Sequence, residues 1–241
     1  MTTLSKIIIT VLISLLFVSC QFDINLGEGK RGNGNVVTEK RAADEDFTVV
    51  KATEGLDVYV TQDNKTSITV EADENVIELI RTDIRNGVLH IHTEERIGRA
   101  KSKKVHVSLP DIAALRSTSG ADLYGTDVIK ADKIELSSNS GADLKVEVEA
   151  TEVECDTSSG ADIVVSGTAD LLIADASSGS DIRAGKLVVS KCIADASSGA
   201  DIKVNATDEL TANASSGGDV RYSGDPVVKK RRSSAGGVYK Q

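Results

Sequence analysis

Six aspartates recur at a nearly constant interval in the second half of this chain, and each closes a short Ser-Gly-x-Asp motif. They are Asp122, Asp143, Asp162, Asp181, Asp201 and Asp219. A regular row of carboxylates has three kinds of chemistry open to it. It can hold a cation, meet a ligand that repeats at the same interval, or supply the acid and base that cleave a glycosidic bond.

A cation site is the first possibility. A second column of oxygen ligands stands four residues before the motif glycine, at Asp156, Asp175, Asp195 and Asn213. Carboxylate and carbonyl oxygens suit Ca²⁺. However, the Gly-Gly-x-Gly-x-Asp nonapeptide of calcium-binding β-rolls is absent, so we expect no specific metal. The weak candidates for one are Asp162, Asp181 and Asp201.

Charge neutralisation is a simpler explanation of the row. Two residues beyond the six aspartates stand Tyr124, Lys145, Val164, Arg183, Lys203 and Arg221. Like charges ~5 Å apart repel by roughly 1 kcal/mol in water, and a neighbouring column that is mostly basic offsets this. Each aspartate can also accept hydrogen bonds from the amides of its own turn. We therefore favour an architectural role, with the six aspartates kept as a candidate ligand ladder.

Catalysis is the third possibility, and the repetition argues against it. A glycosidase needs one carboxyl group whose environment differs from that of its neighbours, whereas here every repeat is alike. His90 and His92 share one strand face, with His106 placed near them, but no nucleophile or carboxylate accompanies them at a fixed spacing. The Ser-Ser-Gly motif is not a nucleophile elbow. We expect no enzyme, no catalytic residues and no cofactor.

The interval between the aspartates also predicts the fold. A period of 18 to 21 residues is typical of a solenoid, in which each coil buries its apolar side against the next. The third residue after each motif glycine is apolar, at Leu123, Leu144, Ile163, Ile182, Ile202 and Val220. Alternate positions behave similarly, which predicts strands with one buried face. We predict an all-β, single-stranded parallel β-helix with two short strands and a third, shorter side in each coil.

One β-helix domain is expected from residue 46 to 241, with irregular coils over 46–110 and regular repeats over 111–225. Glu54-Gly55 looks like a diverged corner, and Val76 to Ile80 suits a single helical turn. Residues 226–241 are predicted to be a polar C-terminal cap, in which Lys229 and Arg231 enter columns that were apolar. A polar last coil prevents another chain from adding to the open edge.

The N-terminus predicts export. Residues 1–19 have the basic start, apolar stretch and small-residue end of a signal peptide. The Leu16-to-Cys20 segment resembles a bacterial lipobox, which predicts lipidation of Cys20. Residues 20–45 are rich in glycine and charge and predict a flexible tether. We expect an exported protein, anchored by lipid to the outer membrane and either periplasmic or surface-exposed.

Composition excludes one class of partner. The formal net charge is −9, which does not favour nucleic acid or anionic lipid, so contact with the membrane is expected through the lipid anchor only. Besides Cys20, the cysteines are Cys155 and Cys192. Both fall in columns otherwise held by small apolar residues, so we predict buried, unpaired thiols.

Four segments together resemble the head GIN domain family of proposed auto-transporter adhesins from Bacteroidetes. They are Phe47-Thr-Val-Val-Lys-Ala, Gly55-Leu-Asp-Val-Tyr-Val-Thr-Gln, Asn86-Gly-Val-Leu-His-Ile and Val105-His-Val-Ser-Leu-Pro, followed by the serial Ser-Gly-Ala-Asp motifs. The resemblance covers residues 46–241. It implies a right-handed β-helix on an exported, often lipid-anchored protein of unknown function, and it brings no catalytic residues.

The sequence therefore favours a non-catalytic exported lipoprotein whose solenoid surface serves adhesion or binds polysaccharide. Glycans and cell-surface polymers are the expected partners, because stacked ladders of polar side chains present groups at a constant interval. The alternative is a structural or envelope-stress lipoprotein of the periplasm that has no ligand. A polysaccharide-degrading enzyme is the least favoured hypothesis.

Overall fold

The corner of each coil forms at the Ser-Gly step of the motif. Ser119 and Gly120 have φ angles of 56° and 71°. In each of the five later motifs the corresponding serine and glycine also have positive φ angles. Glycine adopts this conformation without strain, whereas serine does so at a cost. Successive corners are joined by backbone hydrogen bonds, such as that from Gly120 to Ser140 at 3.2 Å. The corners therefore stack directly on one another.

The computed structural model describes residues 29–232 and 235–241. Its strands are β1 (Val36–Arg41), β2 (Val49–Ala52), β3 (Asp57–Gln62), β4 (Ser67–Asp73), β5 (Ile80–Arg85), β6 (Val88–Thr93), β7 (Lys103–Leu109), β8 (Ala114–Thr118), β9 (Asp122–Asn139), β10 (Asp143–Ser158), β11 (Asp162–Ala176), β12 (Asp181–Ala196), β13 (Asp201–Ala214), β14 (Asp219–Ser223), β15 (Val227–Arg232) and β16 (Gly237–Lys240). They form a parallel β-solenoid of about six turns, so the predicted fold class is confirmed.

Each regular coil is one long strand, so the prediction of two short strands per repeat is wrong. β9 to β13 run without interruption from one corner almost to the next. Each coil bends within its long strand, and three of the four pairings among β9 to β13 contain a shift in register, as between Val164 and Ser166 against β12. Because the ladder to the neighbouring coil resumes beyond each shift, the bend does not end the strand. The number of residues per coil also changes at these shifts in register.

The core consists of the inward-facing side chains of successive coils, at the positions predicted from the alternation of apolar and polar residues. The third residue after each motif glycine is at most 1% exposed in all six repeats. Cys155 and Cys192 are buried and free, as predicted. Ala113 departs from the pattern and is exposed, since the chain there enters β8 with Ala114 and Leu115 both buried.

The order of coils along the axis differs from their order in the chain. β3 pairs in parallel with both β7 and β9, so the coil of β2 and β3 lies between that of β6 and β7 and that of β8 and β9. Glu54 and Gly55 have φ angles of 63° and 68°, which confirms the diverged corner. The predicted helical turn is a 3-10 helix at Ile77–Leu79.

Part of the segment predicted to be a flexible tether is folded. β1 pairs antiparallel with β4, and Lys30 bridges to Ile97. The carboxylate of Asp73, which is fully buried, accepts hydrogen bonds from the amides of Gly34, Lys101 and Ser102 at 2.7, 3.0 and 3.0 Å. These contacts fix the chain from residue 30 onward. The signal peptide, Cys20 and the first part of the tether lie outside the described residues.

The C-terminal cap has a different register from the predicted one. Paired residues of the last coils are 18 positions apart, as in Asp219 opposite Gly237. Lys230 is consequently in register with the buried Ala212, whereas Lys229 and Arg231 are in register with Thr211 and Asn213. Within the part of the chain that the structure describes, no helix has the length and apolarity needed to cross a bilayer.

Candidate functional site

The motif aspartates lie in register along the solenoid axis. β10 pairs Asp143 with Asp122 on one side and Asp162 on the other, and the later coils continue the row. β3 adds Asp57, opposite Asp122, at its start. The aspartate ladder, as we call it, therefore comprises Asp57, Asp122, Asp143, Asp162, Asp181, Asp201 and Asp219. Successive members are separated by about 4.8 Å, the spacing of paired strands.

Arginines neutralise part of this ladder. Arg183 contacts the carboxylates of Asp162 at 3.0 Å and Asp181 at 2.7 Å. Arg221 makes the same pair of contacts, to Asp201 at 3.2 Å and Asp219 at 3.0 Å. Each arginine thus bridges two coils. The predicted neutralisation by the neighbouring column is confirmed in these two places.

The first half of the ladder has less compensation. Asp122 lies between Asp57 and Asp143 and makes no ion pair within the described part of the chain. Burial raises the pKa of Asp122, the charges of Asp143 and Asp57 raise it further, and Lys103 opposes them. The pKa of Asp162 is also raised, by burial first, although Arg183 opposes the change. The ladder therefore retains electrostatic strain where arginine is absent.

The expected hydrogen bonds from turn amides to the aspartate side chains do not form. Among residues 29–232 and 235–241, no backbone amide donates to a ladder carboxylate. The amide of Asp143 instead donates to the carbonyl of Ala121 in the neighbouring coil, at 3.1 Å. The turns are held by backbone contacts between coils, which leaves the carboxylates directed to solvent and to the arginines.

A second column runs beside the ladder on the same outer face, two residues further along each strand. We call it the outer column, and it consists of His106, Tyr59, Tyr124, Lys145, Val164, Arg183, Lys203, Arg221 and Tyr239. Tyr59 stacks on His106 with ring centroids 5.1 Å apart and on Tyr124 at 5.4 Å. The column is therefore aromatic at one end and mostly basic beyond it.

The sequence analysis identified six members of the outer column but missed Tyr59, His106 and Tyr239. Alignment of Gly55 with the motif glycines would have placed Tyr59 beside Tyr124, because Tyr59 also stands four residues after its glycine. For His106 no such signal exists, since β7 follows no Ser-Gly corner. Its position depends on the pairing of β7 with β3.

Two adjoining depressions follow the outer column. The first is lined by Tyr59, Tyr124, Gly125, Thr126, Lys145, Val146, Glu147, Val164 and Ser166. The second is lined by Lys145, Val164, Val165, Ser166, Arg183, Gly185, Lys186, Lys203, Ser223 and Gln241. Because Lys145, Val164 and Ser166 belong to both, the depressions form one shallow groove along the solenoid, which we call the outer groove.

The candidate cation ligands do not assemble into a metal centre. The described residues contain no group of three histidine, cysteine, aspartate or glutamate side chains arranged to hold a metal. The weak candidates Asp162, Asp181 and Asp201 are each paired with an arginine. The second column of Asp156, Asp175, Asp195 and Asn213 is in register, and the Asn213 amide donates to Asp195 at 2.9 Å. Burial and then its two aspartate neighbours raise the pKa of Asp175.

The three histidines are divided between two strands, and His106 makes its ring contact with a residue of β3. His92 contacts Asp83 at 2.9 Å, and His90 is in register with Lys51. His106 belongs to β7 and stacks on Tyr59 in the outer column, whereas His90 and His92 belong to β6. Burial and the nearby cation Lys51 lower the pKa of His90.

The comparisons with known proteins agree with this architecture. Residues 46–226 match the family described as "Putative auto-transporter adhesin, head GIN domain". Similar solved structures include an adhesin from Bacteroides fragilis (TM-score 0.82, 18% identity, 88% of this chain and 100% of that one) and one from Parabacteroides merdae (0.71, 19%, 88% and 98%), both titled putative. A third, from Parabacteroides distasonis, is titled a putative lipid binding protein (0.70, 20%, 88% and 98%). No curated protein matches. The family match covers most of the sequence, and the chain belongs to the head GIN domain family of putative auto-transporter adhesins.

Proposed function

We propose that the protein is a non-catalytic, exported adhesin, anchored by lipid at Cys20, that binds glycans or cell-surface polymers. The binding surface is the face formed by the aspartate ladder and the outer column. Membership of an adhesin family supports export and adhesion. The lipid anchor rests on the lipobox-like end of the signal sequence.

The observation that carries the proposal is the register of two polar columns on one face. The ladder places seven carboxylates in register along the axis, and the outer column places an aromatic or basic side chain beside most of them. A surface with a constant interval of about 4.8 Å suits a ligand that is itself a linear repeat. Aromatic rings and charged groups side by side can contact both the apolar faces and the polar edges of sugars.

A glycan array tests binding directly. The mature chain is compared with the triple variant Asp162→Asn, Asp181→Asn, Asp201→Asn, and the matched control is Asp156→Asn, Asp175→Asn, Asp195→Asn in the second column. We expect the first variant to bind a different set of glycans from the wild type, and the control to bind the same set. Equal binding by all three proteins would remove the ladder from recognition, and absence of any glycan signal from the wild type would remove glycan binding.

Localisation tests adhesion independently. Protease added to intact cells should cleave the protein without lysis, whereas full protection would exclude a role at the cell surface. A Cys20→Ser variant should no longer incorporate a radiolabelled fatty acid. Labelling of that variant would contradict lipidation at this residue.

One observation favours the second candidate, a structural or envelope-stress lipoprotein without a ligand. Arg183 and Arg221 already pair with four of the ladder carboxylates, as a purely architectural role would require. In that case the glycan array stays blank and the protease leaves the protein intact. The enzyme hypothesis is tested by the release of reducing sugars from a panel of polysaccharides, and we expect none.

A further inference from the structure

The outer groove concentrates positive charge in an acidic protein. Lys145, Arg183, Lys186 and Lys203 line its second depression, whereas the carboxylate side chain among the residues that line the groove, Glu147, belongs to the first depression. The formal net charge of the whole chain is −9. The second depression is therefore locally positive although the protein is acidic overall, and its four cations favour a negatively charged ligand.

Three of these cations are free to meet a ligand. Lys145, Lys186 and Lys203 are exposed and form no ion pair within the described part of the chain. Arg183 differs, because its guanidinium is held between Asp162 and Asp181. The arginine is thus paired with the ladder, while the lysines extend beside it without an ion pair within the described residues.

The aromatic end of the groove offers a different contact. Tyr59 stacks between His106 and Tyr124, so Tyr124 is the last ring of the stack. The next member of the outer column is Lys145, which is not a ring, and Tyr124 borders the first depression at this point. A flat apolar surface beside hydroxyl groups suits the face of a sugar ring, and Thr126 and Ser166 supply such groups here.

We propose that the outer groove binds a segment of an acidic polysaccharide, with one sugar ring against Tyr124 and carboxylate groups on Lys145, Lys186 and Lys203. This inference rests on the proposed glycan-binding function and names its ligand class and its site. A linear polymer with recurrent charge can follow cations that recur along the coils. The tyrosine at one end favours a glycan over a simple anion, since inorganic ions and acidic peptides have no sugar face to stack.

The test compares two forms of one polymer. Polygalacturonate carries a free carboxylate on each sugar, and its fully methyl-esterified form carries none. Binding of each to the immobilised mature chain is measured at increasing salt. We expect the free acid to bind at least tenfold more tightly than the ester, and its affinity to fall as salt rises.

Two sets of variants place the ligand in the groove. Lys145→Gln with Lys203→Gln should weaken polygalacturonate binding on the order of tenfold, whereas Lys133→Gln with Lys191→Gln, the same charge change outside the groove, should leave it unchanged. Tyr124→Ala should weaken binding about fivefold, and Tyr124→Phe, which keeps the ring, should not. These groove side chains are at least partly exposed, and thermal melts verify that each variant is folded.

Four outcomes would overturn the inference. Equal binding of acid and ester would exclude an acidic ligand while leaving glycan binding in place, and equal loss in both lysine pairs would exclude the groove. Binding of polyglutamate or phosphatidylglycerol vesicles as tightly as polygalacturonate would make the surface a general anion site. Failure to bind any glycan would overturn the proposed function together with the inference.

Discussion

Arg183 places one terminal guanidinium nitrogen 3.0 Å from the carboxylate of Asp162, which belongs to the preceding coil. Its other terminal nitrogen contacts Asp181 in its own coil. A stack of carboxylates about 5 Å apart repels, and a cation shared by two members turns that repulsion into attraction between coils. The relationship explains how a solenoid can carry an aspartate in every turn. It also makes the arginine positions stabilising ones.

Replacement of Arg183 by leucine should lower the free energy of unfolding at pH 7 by about 1 kcal/mol, because two partly exposed ion pairs are lost. The loss should shrink near pH 3, because burial raises the pKa of Asp162 and this partner of Arg183 is then protonated. Lys203→Leu is the matched control, since Lys203 occupies the same column and forms no ion pair with the described residues. Urea unfolding of the three proteins at both pH values measures the effect. Equal destabilisation by the two variants would mean that the arginine acts through packing alone.

Asp122→Asn should stabilise the protein at pH 7. The folded state holds a proton on Asp122 more readily than the unfolded state does, because burial and the charges of Asp143 and Asp57 raise its pKa above the ordinary 3.8. Asp122 therefore stabilises the folded state below pH 3.8, where it is protonated. This stabilisation is lost as the pH rises through the pKa that Asp122 has in the folded protein. We expect a gain of about 0.5 kcal/mol at pH 7, comparable to one like-charge cross-strand pair, and little gain at pH 3.5. Asp170→Asn, outside the ladder, serves as the control in urea titrations, and a gain that persisted at pH 3.5 would contradict the charge explanation.

Much of the fold could be predicted because its signals are local and repeated. Each corner needs two residues at positive φ, and each coil needs alternate apolar residues, so spacing and alternation together locate the corners and the core. The pairing of β2 and β3 with distant strands leaves no such periodic trace. That arrangement is decided by tertiary contacts, which is why the sequence analysis missed His106 in the outer column, whereas Tyr59 could have been found from its distance to Gly55. The bends within each coil were missed for a similar reason, since a shift in pairing needs no particular residue.

The folded part of the tether was missed because one buried side chain holds it. Burial raises the pKa of Asp73, but hydrogen bonds from Gly34, Ser102 and Lys101 more than offset this, and the pKa lies below the ordinary value. Composition alone shows only glycine and charged residues in this segment, which are typical of a linker. The partner that orders them lies 39 positions further along the chain, at the end of β4.

Asp73→Ala should release the N-terminal segment while leaving the regular coils intact. Three backbone amides lose their acceptor, so hydrogen exchange in residues 30–41 should rise on the order of tenfold, with exchange in β10 to β12 unchanged. Asp63→Ala, at an exposed turn, is the control. Exchange followed by mass spectrometry locates the change, and continued protection of residues 30–41 would show that β1 is held by its ladder to β4 alone.

Cys155 and Cys192 should be unreactive in the folded protein. Both thiols are buried in the coil interior, and burial raises their pKa values, that of Cys192 to about 12. Since only the thiolate attacks a disulfide reagent, Ellman's reagent should label neither thiol until guanidinium chloride unfolds the chain. A chain from residue 21 removes Cys20 from the assay, and Thr151→Cys adds an exposed thiol as a positive control. Rapid labelling of the native protein would reveal local opening of the coils.

Gly167→Ala should be severely destabilising, whereas Gly160→Ala should not, although both glycines have positive φ angles. A Cβ at Gly167 would lie 1.9 Å from the carbonyl oxygen of Val148 in the neighbouring coil, so the backbones themselves would have to separate. At the Gly160 corner no atom of the described residues lies within 4 Å of an added Cβ, and the cost is the conformational strain of about 1 kcal/mol. We expect a loss of roughly 3 kcal/mol or more for Gly167→Ala in urea unfolding, because a clash between backbones cannot be relieved by a rotamer change. Similar losses for both variants would show that positive φ alone, and not the close approach of the two coils at Gly167, makes glycine necessary there.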